Sequence, residues 1–395
     1  MDQSAFQLPD LDDVQVKPRL QVLPRRHGGA DSAPPDVAWE PPLRSRAHAL
    51  ETWNDYMAFA SRVVGRFHGQ FRFERFDYVH PMRLQPGTPK RMKRPYVASV
   101  AYTDWGPADA PVLLCCGGVA NVAARFHYLA SDLSDDWRVV CMDWLGRGRS
   151  AWLASEGDYS LATCAEQLRQ MIMHLGGRPV TLLGSSMGGS AAIDLIARHP
   201  NLVHQLILND VGPHIPARRR QRRAETIARH YVFRTPAELM RRVGAAQKND
   251  GPVAEEIRFS LTFNQTRWSD EEGGRVYRHD VRAMQAYRRS AQRSLLQWDA
   301  WRNVHCRVLL IHGMLSDALL DSTIRRMSQR KRIAVLYIPD TGHTPVLADR
   351  NQIAHIRHWL DGDLPDGARV SVLHAQPRDP YPGNPISFAP ASALR

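Results

Sequence analysis

The sequence predicts an α/β fold: a mostly parallel twisted sheet with helices on both faces and a helical segment inserted late in the sheet. Three observations lead there. Between Val97 and Leu360, short apolar runs such as Val112–Cys116 and Val180–Leu183 alternate with stretches of helical periodicity. The runs are apolar at consecutive positions, as parallel strands covered on both faces are. The alternation lapses between Pro213 and Trp301, where helix starts occur without a clear buried strand.

In chain order, residues 1–46 are rich in Pro, Asp and Gly and read as an irregular arm. Residues 47–95 form an extension expected to pack on the core. In it Leu50, Trp53, Tyr56, Met57, Ala60 and Val64 recur at helical spacing, Gln70–Tyr78 alternates like a strand, and Pro81–Pro95 reads as a loop. The first part of the core covers 96–212. Its strands are Val97–Tyr102, Val112–Cys116, Arg138–Met142, Val180–Leu183 and Leu206–Leu208, with helices over Phe126–Leu133 and Gly188–Arg198. Thr163, followed by Glu166, reads as a capping box opening the helix that Gly176-Gly177 closes. A helical lid is expected over 213–301. Thr235-Pro236-Ala237-Glu238 and Ser269-Asp270-Glu271-Glu272 read as helix starts there. Residues 302–361 complete the core, with strands Val308–Ile311 and, last, Ile333–Ile338; 362–395 read as a tail.

Composition narrows the class. No apolar run approaches the roughly 20 residues of a membrane span, and the N-terminal residues carry no apolar signal core. Five cysteines, an odd number without metal-like spacing, read as thiols of a reducing cytoplasm, so neither a metal nor a cofactor is expected. The net charge is +12, with five lysines among the 52 basic residues. No nucleic-acid module motif accompanies the arginines, so they read as solvated helix faces and no specific nucleic-acid partner is expected.

One motif carries chemistry. Gly184-Ser185-Ser186-Met187-Gly188 lies between a strand run and a helical run, the context of a nucleophile elbow. Ser186 is the expected nucleophile because the glycines frame it, with Ser185 as its neighbour alternative. A serine needs a base, and the base needs an orienting carboxylate. In α/β-hydrolases these follow the serine in the order acid, then histidine. His343, in the loop Pro339–His343 after the last expected strand, is the expected base. Asp317, in Ile311–Asp317 just past the preceding strand, is the expected acid; Asp321 and Asp210 are the alternatives, the latter also readable as half of a turn-forming Asn-Asp pair. The expected oxyanion donors are the N–H groups of Met187 and, after the apolar run ending at Cys116, of Val119; Gly118 is the alternative to Val119.

The chain resembles the α/β-hydrolase superfamily, in particular its lid-bearing esterases and C–C bond hydrolases. The resemblance rests on Gly117-Gly118 then Phe126, Asp143-Trp144-Leu145-Gly146-Arg147-Gly148-Arg149-Ser150, Gly184–Gly189, Leu208–Pro213 and Gly342-His343. It implies that the Asp143–Ser150 loop is a structural turn rather than a phosphate loop. Cys116-Gly117-Gly118 departs from the His-Gly usual in relatives, and about 95 N-terminal residues lie outside the minimal fold.

The expected function is therefore a serine hydrolase acting on a carboxylic ester, thioester or lactone of a small to medium acyl substrate. C–C hydrolysis of ring-cleavage-type diketones, acyl transfer or perhydrolysis, and a slow-turnover ligand receptor are the alternatives. The arginines of 217–223 read first as the solvated face of an amphipathic helix, with binding of a substrate carboxylate as the alternative, and the extension or the lid could support a homo-oligomer.

Overall fold

The apolar runs become strands buried on both faces of one sheet, and the alternation of their side chains shows it. The computed structural model describes residues 50–80, 96–227, 229–247, 250–329 and 331–375; the expected arm (1–46), the loop over 81–95 and the end of the tail (376–395) lie outside them. Nine strands form the sheet: β1 (Phe71–His80), β2 (Tyr96–Trp105), β3 (Val112–Cys116), β4 (Arg138–Met142), β5 (Val180–Ser185), β6 (Val203–Asn209), β12 (Arg307–Gly313), β13 (Ala334–Ile338) and β14 (Arg369–Ser371), in the order β1-β2-β4-β3-β5-β6-β12-β13-β14. The first two pairings, β1–β2 and β2–β4, are antiparallel and the rest parallel. Leu114, Cys116, Val140, Leu182 and Leu208 face one apolar layer, while Leu113, Cys115, Val139, Leu183 and Ile207 face the other.

Helices α3 (Leu161–His174) and α4 (Met187–Arg198) cover the first layer through Leu168, Met171, Ile193 and Ile196. Helices α2 (His127–Leu133) and α11 (Arg350–Asp361) cover the second through Leu129, Leu133, Ile356 and Trp359. α3 is capped by Ser160, whose side chain accepts from Thr163 N–H, so Thr163 is the third helical residue and not the cap expected from its spacing to Glu166. β14 lies within the expected tail and pairs with β13, so Ile333–Ile338 does not supply the final strand.

The segment between β6 and β12 is mixed rather than purely helical. Beside α5 (Ala217–Ile227), α6 (Pro236–Ala246), α7 (Glu255–Gln265), α8 (Val281–Ser290) and α9 (Trp298–Arg302) it carries short strands. β8 (Val232–Phe233), β10 (Gly274–Tyr277) and β9 (Thr266–Ser269) form a small antiparallel sheet, and β7 (His214–Ile215) pairs with β11 (Leu295–Leu296). α6 starts as expected, with Thr235 accepting from Glu238 N–H and Pro236 at the first position. Ser269–Glu272 instead ends β9 and turns into β10, because Arg267↔Val276 pairing continues the chain as a hairpin. Helix α1 (Trp53–Gly65) packs mainly on this segment. Its Tyr56 meets Phe259 of α7 at a tilt and its Phe59 meets the same ring edge-on, and Trp53 Nε1 donates to Arg234 O at 3.1 Å. The extension thus divides: its strand β1 joins the sheet and its helix joins the inserted segment. α10 (Asp321–Ser328) completes the helices. Among the described residues, no helix is long and apolar enough to cross a membrane.

Candidate active site

The turn over residues 184–188 requires glycine at both ends. A Cβ on Gly184 would lie 2.5 Å from Gly189 Cα, and one on Gly188 2.5 Å from the Cys116 carbonyl oxygen. Strand and helix therefore meet at contact distance, and Ser186 between them is held at φ 49°, ψ −115°, a conformation that L-residues rarely adopt. The strain projects its hydroxyl from the carboxyl edge of the sheet, while Ser190 N–H bonds back to its carbonyl as α4 begins. Ser185 is buried, and its Oγ accepts from Asn209 Nδ2 at 2.8 Å. It is a brace and not a free hydroxyl.

His343, in the loop after β13, reaches Ser186: Oγ and Nε2 are 2.9 Å apart. Its Nδ1 lies 2.7 Å from Asp210 Oδ2. Asp210 follows β6 directly, with φ 53°, and is fully buried. Its other oxygen, Oδ1, accepts from His312 Nδ1 at 2.9 Å and from Gly313 N–H at 3.2 Å, and Ser316 Oγ donates to Oδ2. Burial alone would push the Asp210 carboxyl up. The hydrogen bonds and charges of His312 and His343 outweigh it and bring the pKa down to about 2. An ionised carboxylate only accepts, so each histidine presents a protonated Nδ1 to it, and the tautomer of His343 this selects has Nε2 as the acceptor facing Ser186.

The position expected for Asp317 is thus corrected. Asp317 does not touch His343. Its carboxylate is half-exposed and pairs with Arg222 Nη1 at 3.0 Å and with Arg219, both on α5. The loop after β12 does reach the site, but through Ser316, one residue earlier. Asp321 is largely exposed at the start of α10, 3.8 Å from His312 Nε2. Asp210, the alternative readable as a turn residue, has the left-handed backbone of such a turn and the carboxylate that faces His343. His312 and Ser316 were not singled out in the sequence, although His312 closes an apolar strand run at the carboxyl edge of the sheet, a signal that could have found it.

This geometry has a stability consequence. The Asp210 carboxyl ordinarily titrates near 3.8 and is held at about 2 in the folded chain. A depressed folded value adds stability that is present above about pH 4 and is lost as pH falls toward 2, worth about 2 kcal/mol for this shift. Urea unfolding of Asp210→Asn is expected to show a shallower loss of stability between pH 5 and 2 than the parent; parallel pH profiles would refute that.

Two further loops border Ser186. A Cβ on Gly118 would lie 3.4 Å from Ser186 Cβ, and its N–H donates to Asn121 Oδ1 at 2.9 Å. The Val119 carbonyl accepts from the buried Arg147 at 2.9 Å, which fixes that peptide. The N–H of Met187, in the first turn of α4, has no intrahelical partner by helix geometry. The side chains of Val119 and Met187 pack with Ile227 of α5 and with Ala283, Met284 and Tyr287 of α8, an apolar roof from the inserted segment. In the Asp143–Ser150 loop, Asp143 accepts from Ala123 and Arg149 N–H groups at 2.7 and 2.9 Å. A carboxylate already fills the place a phosphate would need. Cys116 is a buried thiol whose pKa burial pushes up, with Sγ 3.4 Å from the Leu183 carbonyl.

A family model described as "alpha/beta hydrolase fold" matches residues 111–349, well over half of the chain. The chain belongs to the α/β-hydrolase fold family. A 3-hydroxybutyrate-oligomer hydrolase of Cupriavidus necator is 31% identical to it over 274 residues, covering 67% of this chain and 93% of that protein. Among solved structures, a putative hydrolase from Rickettsia typhi superposes with a TM-score of 0.67 at 23% identity, covering 74% of this chain and 99% of its own. The esterase RhEst1 from Rhodococcus sp. ECU1013 does so at 0.51 and 20% identity, covering 67% and 95%. At these identities the structures bear on the fold alone. Family and relatives together make the chain a hydrolase.

Proposed function

We propose that this hydrolase cleaves carboxylic esters through an acyl-enzyme on Ser186, and that short oligomers of hydroxy acids are among its substrates. The observation that carries the reading is the unbroken hydrogen-bonded chain Ser186–His343–Asp210 on the strained turn. His343 Nε2 takes the Ser186 proton as Oγ attacks the ester carbonyl, and Asp210 holds the ring and offsets the charge it gains. The oxyanion is received by the N–H groups of Met187 and Val119. Gly118 N–H is already engaged by Asn121, which favours Val119 as the second donor. The imidazolium then protonates the leaving alcohol, and a water activated by His343 releases the acid. The inserted segment acts as a lid, its roof of Ile227, Met284 and Tyr287 offering an apolar wall to the acyl chain. The Cupriavidus relative acts, by its name, on 3-hydroxybutyrate oligomers, which are esters of this kind.

Incubation with a fluorophosphonate is expected to label Ser186, read by peptide mass spectrometry. The same protein is expected to turn over p-nitrophenyl esters of short acyl length and the dimer and trimer of 3-hydroxybutyrate. Labelling without ester turnover would redirect the assignment to C–C hydrolysis, acyl transfer or a receptor role. Absence of labelling would overturn the role of Ser186.

A further inference from the structure

Beside His343 lies a second group of polar side chains that the proposed ester chemistry leaves unused. Arg125 sits on the short turn Ala123–Phe126, four residues after Asn121, against the loop that holds His343. It is buried, with 5% of its surface exposed. One nitrogen, Nη2, donates to the carbonyl of Thr344, the residue after His343, at 2.6 Å. Its Nε has no partner and its Nη1 makes no hydrogen bond or ion pair among the described residues. A buried guanidinium with unused donors is costly unless something completes it.

The inserted segment contributes a second cation. In the arginine-rich helix α5, Arg219 and Arg222 are held by Asp317, and Arg220 is spent on the carbonyls of Ser290 and Arg293. Arg223 is half-buried, and its guanidinium makes no hydrogen bond or ion pair among the described residues. It lies one helical turn before Ile227, whose side chain packs with Val119 and Met187 beside Ser186, so it shares the helix face that roofs the site; burial, then the charge of Arg219, push its guanidinium down. Asp250 is the nearby acid: burial pushes its carboxyl up against the pull of Arg125, Arg258, Arg223 and His343. Arg258 is engaged by the carbonyls of Gln247, Gly251 and Val253. Arg125 against the His343 loop and Arg223 on the roof thus bring two guanidinium groups, in excess of the one Asp250 carboxyl, with donors unengaged among the described residues. A neutral ester gains nothing from that excess, whereas a substrate carboxylate would complete the forks.

We infer that Arg125 from the core and Arg223 from the inserted segment form a carboxylate-binding subsite beside His343, selecting short ester chains that end in a free acid. This rests on the ester-hydrolase reading for its catalytic meaning, but the subsite can be tested without turnover. In a 3-hydroxy acid dimer the carboxylate is two carbons from the alkoxy carbon's ester oxygen, short enough for both groups to lie in one site.

The test compares the 3-hydroxybutyrate dimer with its methyl ester, on the full chain. Calorimetric titration of Ser186→Ala is expected to show at least about tenfold tighter binding of the acid, the scale of a charged hydrogen bond. In the active chain, Arg223→Gln is expected to reduce the acid-to-methyl-ester ratio of kcat/KM about tenfold or more. Arg218→Gln, an exposed arginine of the same helix, is expected to leave that ratio in place. Arg125→Gln is expected to act like Arg223→Gln; because Arg125 is buried and that variant can fail to fold, Arg223→Gln carries the test. Equal binding of acid and methyl ester, or an unchanged ratio in Arg223→Gln, would overturn the subsite. Tight acid binding to Ser186→Ala with no hydrolysis of either compound by the parent would uphold the subsite and overturn the ester-hydrolase reading.

Discussion

Asp210→Asn is expected to lower kcat for ester hydrolysis by a factor on the order of 10⁴, while Asp317→Asn leaves it within a few-fold of the parent. The argument is one of acceptors. Asp210 Oδ2 receives His343 Nδ1 and Ser316 Oγ, and Oδ1 receives His312 Nδ1 and Gly313 N–H. An asparagine has one oxygen to serve both sides. If its amide nitrogen faces His343, Nδ1 must become the acceptor, the proton moves to Nε2, and the ring can no longer take the Ser186 proton. If the amide is turned the other way, it meets the N–H of His312 and Gly313 instead, at the cost of two buried bonds. Asp317 by contrast is half-exposed and pairs with Arg219 and Arg222, and such surface pairs contribute about 1 kcal/mol or less. Its loss loosens the tie between α5 and the core without touching His343. A steady-state comparison of the two variants decides between the carboxylates: a collapse in Asp317→Asn with an active Asp210→Asn would reverse the assignment.

That contrast marks where the sequence stops being legible. Ser186 could be read because its glycines and its strand-to-helix setting are local, and His343 because it follows the strand now seen as β13 with a glycine before it. The parallel sheet was equally local, written in runs such as Val112–Cys116 whose neighbours face opposite layers. The carboxylate that meets His343 was not local. Asp210 and Asp317 both follow core strands and both precede His343, so chain order admits either. What separates them is tertiary: Arg219 and Arg222 draw Asp317 outward, while Ser316 and His312 turn inward to Asp210. The same limit explains Ser269–Glu272, whose acidic residues suit a helix start but were overruled by pairing with β10. It explains Arg125 as well, one arginine among many until the fold places it against Thr344.

Ser186→Gly is expected to abolish ester turnover, a loss on the order of a million-fold in kcat, and yet to be more stable than Ser186→Ala. Both variants lack Oγ and both lose the 2.9 Å hydrogen bond to His343, so the pair differs only by a Cβ. At φ 49° and ψ −115° that Cβ is strained, by roughly 1–3 kcal/mol for residues held in such regions. Glycine takes this backbone without strain, but gives back about 0.5–1 kcal/mol in unfolded-chain entropy. A net gain of about 1 kcal/mol over alanine follows, readable as a higher urea midpoint with an unchanged slope. The strain is held in place by its surroundings: Gly184 and Gly188 let strand, helix and the Cys116 carbonyl close on the turn, and Asn209 ties Ser185 to the Pro345 carbonyl in the His343 loop. The stability forgone at one residue is what keeps the serine hydroxyl aimed at His343 before any substrate arrives. An alanine variant as stable as the glycine variant would mean that the turn stores no more strain than the roughly 0.5–1 kcal/mol that glycine loses in unfolded-chain entropy, too little to account for the positioning of Ser186.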